Sequence, residues 1–163
     1  MVLIAVVVLL WVVLGLGTDT FFAAANIQNI LATVAPVTII GVGMTAVIVT
    51  AGIDVSVGSA LAVVLVVVAK LLRDSGLSLF SAVLTGLVVG GVLGAVNGLL
   101  VAYGRVHAII ITFGTLNVFR FVSLQIFDGK EVASIPGTLA FLGGGEDGRT
   151  LGIPHAWLLA ILL

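Results

Sequence analysis

The chain has 163 residues, of which 61% are hydrophobic and 8% charged, with a net charge of −1 and no cysteine. A mean hydropathy of +1.43 and an apolar share above the roughly 45–50% of soluble domains exclude a water-soluble fold, because whole segments lack a hydrophilic face. The charge balance leaves no basic field for nucleic acid, and the lack of cysteine excludes disulfides and thiolate metal sites.

The pattern predicts an all-α, polytopic helical membrane protein, with about five transmembrane helices plus the start of a sixth in a single domain over residues 1–163. The first segment runs from about Val2 to Gly17 and closes at Thr18 and Asp19. A signal peptide with Ala23-Ala24-Ala25 as its cleavage region is the alternative, against which stands the missing basic n-region. Phe21 to Asn29 reads as an amphipathic interfacial linker, and the second segment spans about Ile30 to Thr50 with a kink expected at Pro36. The third covers about Val55 to Leu72 and ends in the charged cluster Lys70, Arg73 and Asp74, which cannot sit at a bilayer centre. The fourth covers about Leu77 to Tyr103, and the fifth about Ala108 to Phe127. Asp128 to Pro154, with both signs of charge, two prolines and a glycine run, reads as an aqueous loop. The closing HAWLLAILL is too short to span, since a crossing helix needs about 20 residues. With no charge before the first apolar run either, the chain is expected to be a piece of a longer protein. Loop charges vote weakly against a cytoplasmic N-terminus, because Lys70, Arg73, Lys130 and Arg149 would then lie outside and only Arg105 inside.

Three sets of residues carry chemistry. Gly86, Gly90, Gly94 and Gly98 recur every four residues, with Gly91 and Ala95 beside them, and form a small-residue stripe for close helix packing. Asn97 sits in that stripe, where its amide can tie two helices together. In the fifth segment, at about 100° per residue, Thr112, Thr115, Arg120 and Ser123 fall within an arc of roughly 140°, with Asn117 at its Arg120 edge. An arginine within a span faces protein or a water-filled path, or else reaches to the headgroups. His107 reads as a loop or interfacial residue.

The third set is TAGIDVSVGS, residues 50–59. Asp54 and Ser56 precede an apolar helix as N-caps do, with side-chain oxygens available to first-turn N–H groups, and Gly52 and Gly58 let the chain turn. A break between membrane helices is also how transporters build midplane sites, so Asp54 is either a cap alone or a cap at a functional re-entry. Catalysis is not expected. Asp54 is the lone carboxylate near a span interior, where an aspartyl dyad needs two, and Ser56 and Ser59 lack the surroundings of a nucleophile. No Walker-type loop, cofactor site or metal site is read.

TIIGVGMTAVIVTAGIDVSVGSALA resembles the G-M-x-x-V-I-x-x-G-G-I-D-L-S-V-G-S signature of bacterial carbohydrate ABC importer permeases of the ribose, xylose, arabinose and autoinducer-2 type. GAVNGLLVAYGRVHAIIITFGTLNVFRFV resembles their N-G-L-L-V-A-Y-x-x-x-P-x-F-I-x-T-L-G-T-x-x-x-x-R-G segment, and together they cover about residues 26–130. The chain departs from the pattern at Ala51 (usually glycine), Val55 (leucine), His107 (proline), Phe113 (leucine) and Phe121 (glycine). The resemblance implies the N-terminal half of a non-enzymatic permease subunit in the bacterial inner membrane. Its implied partners are a second permease subunit, a cytoplasmic ATPase that hydrolyses ATP, and a periplasmic or extracellular sugar-binding protein. The competing readings are an ion-coupled secondary transporter, with Asp54 and Arg120 as its charge pair, and a non-transporting scaffold built on the glycine stripe.

Overall fold

The computed structural model describes residues 1–130, 141 and 148–162. Among them run six helices: α1 (Val2–Gly17), α2 (Ala24–Val49), α3 (Val57–Asp74), α4 (Leu79–Gly104), α5 (Ala108–Ile126) and α6 (His155–Leu162). A two-residue antiparallel pair, β1 (Arg149–Thr150) and β2 (Ile153–Pro154), precedes α6. Three helices, α2, α4 and α5, are long and apolar enough to cross a membrane. Large apolar side chains such as Phe80, Leu87 and Phe113 are exposed along them, an outer surface suited to lipid rather than water.

The chain divides into two compact units. The first joins Met1–Gly41 to Ala140–Leu163. Here α1 is apolar on every side, buries no residue, and ends where Thr18 folds both its N–H and its hydroxyl back onto the Leu14 carbonyl. Trp11 meets Phe21 edge-on, with ring centroids 6.2 Å apart. α2 opens at Ala24, earlier than the sequence suggests. Asn26 anchors the turn through its amide to the Phe21 carbonyl at 2.7 Å, and Arg149 donates to Gln28 Oε1 at 2.7 Å and to Asn29 Oδ1 at 3.4 Å. The polar side chains read as an interfacial linker are thus satisfied within the fold, and their backbone is free to be helical. α2 then runs unbroken through Pro36. In the segment expected to be a loop, Leu151 and Gly152 both have positive φ (53° and 82°), the backbone of a two-residue hairpin turn. The remaining loop residues, 131–140 and 142–147, lie outside the described residues.

The second unit, Val42–Leu139, contains the end of α2 and all of α3, α4 and α5. Val68, Leu72 and Ala82 form its buried cluster, with Val64 packed against them. α4 runs antiparallel to α3: Gly86 faces Val64 and Val68 near the end of α3, while Asn97 reaches Ser56 at its start. α5 is parallel to α3, with Thr112 bonded to Ile53 and Val55 at one end and Lys70 Nζ donating to the Ile126 carbonyl at the other (3.1 Å). That contact places a cation on the unpaired carbonyls at the C-terminus of α5. The guanidinium of Arg73 lies 4.8 Å from the Phe127 ring centre and pairs with Asp74 (Nε–Oδ1 2.6 Å). The charged cluster therefore closes one end of the helix group.

The glycine stripe divides. A Cβ at Gly86 would lie 2.9 Å from Val68 Cγ2, and one at Gly90 3.6 Å from Val64 Cγ2, but at Gly94 and Gly98 it would meet nothing within 4 Å. Close packing is thus confined to the first half of α4. Because valine is stiff at χ1, Gly86→Ala should lower stability by about 1–3 kcal/mol, whereas Gly94→Ala, in open space inside a helix, should raise it by about 0.5–1 kcal/mol. Denaturant titration of the purified protein in detergent checks both, and equal effects would refute the division.

α2 ends with the Ala51 N–H on the Ile48 carbonyl (2.9 Å) and the Gly52 N–H on the Val47 carbonyl (3.0 Å), a paired closure that needs a left-handed residue. Ala51 supplies it at φ 59°. Ala51→Gly should therefore stabilise the protein by about 1 kcal/mol, read as a raised melting temperature in the same detergent.

Candidate functional site

The site forms where α2 stops and α3 starts. Residues 50–56 are not helical, so their backbone groups need partners from elsewhere. Thr112 of α5 supplies two: its hydroxyl donates to the Ile53 carbonyl at 3.1 Å and accepts from the Val55 N–H at 3.2 Å. A single threonine hydroxyl thereby serves two backbone groups of the extended link.

Asp54 differs from a simple helix cap. Its Oδ1 accepts from the Ser56 N–H at 2.8 Å and from the Ser56 hydroxyl at 2.7 Å, a turn closed two residues on. Ser56 occupies the N-cap position of α3 but makes no side-chain cap bond to the first turn, because its hydroxyl is engaged by Asp54 and by Asn97. The Nδ2 of Asn97 donates to that hydroxyl at 2.7 Å and approaches Asp54 Oδ2 at 3.5 Å. Ser56 and Asn97 are buried. Asn97 Oδ1 is also buried and has no hydrogen-bond partner.

Beside this network lies a cavity of about 580 Å³. Its wall includes Thr50, Gly52, Asp54, Gly94, Asn97, Gly98, Arg105, His107 and Thr112. A second cavity of similar size, about 590 Å³ along α1, is lined by apolar side chains and Gly15 and offers no side-chain chemistry.

The expected site residues separate into three groups. Asp54, Ser56, Asn97 and Thr112 are brought together. A Cβ at Gly52 would lie tightly, 3.2 Å from the Val47 carbonyl oxygen, but Gly58 sits in open space, and the positive φ belongs to Ala51 rather than to either glycine. Of the polar arc on α5, Thr112, Thr115 and Ser123 are buried together with Phe119. Arg120 and Asn117 are exposed and fall outside that face. Asn117 returns its amide to the Phe113 carbonyl at 3.0 Å. The Asp54–Arg120 pair is absent among the described residues, where the one ion pair joins Arg73 and Asp74.

Sequence reasoning gave Asn97 a packing role and missed its link to Asp54, which spans 43 positions. It also missed Arg105, at φ 51°, and His107 as cavity residues. His107 starts α5 with φ −55°, within the range a proline fixes.

A broken helix pair whose polar residues face a cavity is a construction found in many membrane transporters. The chain belongs to the family described as the branched-chain amino acid transport system / permease component, whose model matches residues 26–163. It is 35% identical over 161 residues to the ribose import permease protein of Haemophilus influenzae, covering 98% of this chain and 49% of that one. It is 39% identical over 118 residues to the D-allose transport system permease protein of Escherichia coli, covering 72% and 36%. Over 163 residues it is 33% identical to the autoinducer 2 import system permease protein of Salmonella typhi, covering 94% and 47%. These relatives bear out the resemblance read from the two motifs. The chain spans about half the length of the ribose import permeases it matches. No solved structure matches it. It is a multi-pass helical membrane protein of the permease class.

Removing the Ser56 hydroxyl deprives Asp54 of a donor and Asn97 of an acceptor. Ser56→Ala should destabilise by about 1–3 kcal/mol, while Ser59→Ala, whose hydroxyl only returns to the Ser56 carbonyl, should change stability by less than about 0.5 kcal/mol. Parallel denaturant titrations compare them. Equal losses would show that the network does not hold the break.

Proposed function

We propose that the chain forms part of the translocation pathway of an ATP-driven importer for a simple sugar or a sugar-like small molecule. The observation that carries this reading is the family match joined to relatives named for ribose, D-allose and autoinducer 2 import. The polar break between α2 and α3 supports it, since a solute crossing a bilayer needs a hydrogen-bonding surface away from lipid.

On this reading α1 and α3 cross as well, making five spans with α6 as the start of a sixth, and residues 1–163 form one permease domain. α3 has 18 residues, about 27 Å of helix, and lies along α4 and α5 from Ser56 to Lys70. Lys70, Arg73 and Asp74 would reach the headgroups at its end. The chain carries no cofactor or catalytic group of its own. ATP is hydrolysed by a cytoplasmic partner, a second permease subunit completes the pathway, and a periplasmic or extracellular binding protein delivers the sugar. The setting is the bacterial inner membrane.

The test is uptake of radiolabelled D-ribose and L-leucine by proteoliposomes holding the assembled importer. Ribose accumulation that requires ATP and survives an uncoupler is expected. Uptake that persists without ATP and collapses with the proton gradient would refute the reading, and leucine uptake in place of ribose would move the substrate to branched-chain amino acids.

A further inference from the structure

The polar groups around the break do not balance. Asp54 Oδ1 has two donors, but Oδ2 has only the long 3.5 Å approach of Asn97. Both described bonds of the Asn97 amide leave from Nδ2. Its orientation is fixed by chemistry, because turning Oδ1 toward the carboxylate would set acceptor against acceptor. Asn97 is only 6% exposed, and its Oδ1 is left without a donor. Asn97 Oδ1 therefore lacks a donor and Asp54 Oδ2 has only a long one, on residues that both line one cavity.

We propose that this cavity is a station for the transported sugar, at which Asp54 Oδ2 and Asn97 Oδ1 accept hydrogen bonds from its hydroxyl groups. The proposal rests on the sugar-importer reading and adds the site and the residues. A hydroxyl donates one hydrogen bond and accepts others, so a polyol can give to the two oxygens and receive from Arg105 in the same wall. The volume, about 580 Å³, lies in the range of small-molecule sites. Asn97 Oδ1 is closed to water in this conformation, so a hydroxyl reaches it by displacing the second half of α4.

Residues 1–163 hold no cysteine, so a thiol placed among them can be followed by mass spectrometry of its own peptide, whatever thiols the rest of the importer carries. Gly98→Cys puts a single thiol in the cavity wall, and Tyr103→Cys puts one on the exposed flank of α4, outside it. Both are labelled with a small methanethiosulfonate reagent in the assembled importer in proteoliposomes. D-ribose at about ten times its half-saturating concentration should slow labelling at Gly98→Cys roughly ten-fold and leave Tyr103→Cys unchanged. Adding Asp54→Asn or Asn97→Ala to Gly98→Cys should abolish the protection. If neither double variant reaches the membrane, protection in the single variant decides, because it leaves Asp54 and Asn97 intact. ATP-driven ribose uptake without protection at Gly98→Cys, or protection that survives both substitutions, would overturn this inference and leave the importer reading standing. Protection by L-leucine with no ribose uptake would overturn both.

Discussion

The second unit depends on how one carboxylate is satisfied. In an apolar chain a charged side chain needs donors from the protein itself, and Asp54 takes two of them from the residue two positions on, Ser56. That local closure sets where α3 begins. Because the Ser56 hydroxyl is then available as an acceptor only from one side, it draws in Asn97 and with it α4. The same break leaves Ile53 and Val55 without ladder partners, and Thr112 of α5 answers both. Three helices are thus positioned by one interruption of the chain.

The two ends of α3 use opposite chemistry. At the far end, exposed charges reach a helix C-terminus and an aromatic face, contacts that tolerate water and headgroups. At the near end, neutral donors and acceptors are buried around a single charge. Between them α4 is held by close packing at Ala82 and Gly86 and, further along, by the side chain of Asn97. Packed contacts resist displacement, while a lone amide contact can be remade. The half of α4 whose glycines lack close contacts is the half that borders the cavity.

The helical order and the break were legible in the sequence, because a proline- and glycine-punctuated apolar pattern with Asp-x-Ser at one point admits few alternatives. The partner of Asp54 was not. Asn97 lies within a run of small residues, so helical periodicity alone assigns it to the packing stripe, and only the antiparallel return of α4 brings it beside Ser56. Arg120 failed for a different reason. An arc drawn by polarity is wide enough to hold Thr112 and Arg120 together, whereas the buried face follows Thr112, Thr115, Phe119 and Ser123, a span of about 80° at 100° per residue that leaves Arg120 about 60° beyond its edge. The sequence pattern starts α2 late because Asn26, Gln28 and Asn29 look interfacial until their partners are known: the Phe21 carbonyl for Asn26 and, for Gln28 and Asn29, Arg149, which is 120 positions from Asn29.

Departures from the family pattern read differently once the backbone is known. His107 has a φ within the range a proline fixes. Ala51 keeps the left-handed turn that glycine would adopt freely, and so carries strain at the end of α2, one residue before the turn that places Asp54. Backbone strain of this kind persists only where surrounding contacts over-determine the conformation. Here the closure of α2 on Val47 and Ile48 and the grip of Thr112 on residues 53 and 55 supply those contacts from both sides. The break is therefore held by its neighbours rather than by its own preference, which is the property a hinge needs if helices on either side are to move against it.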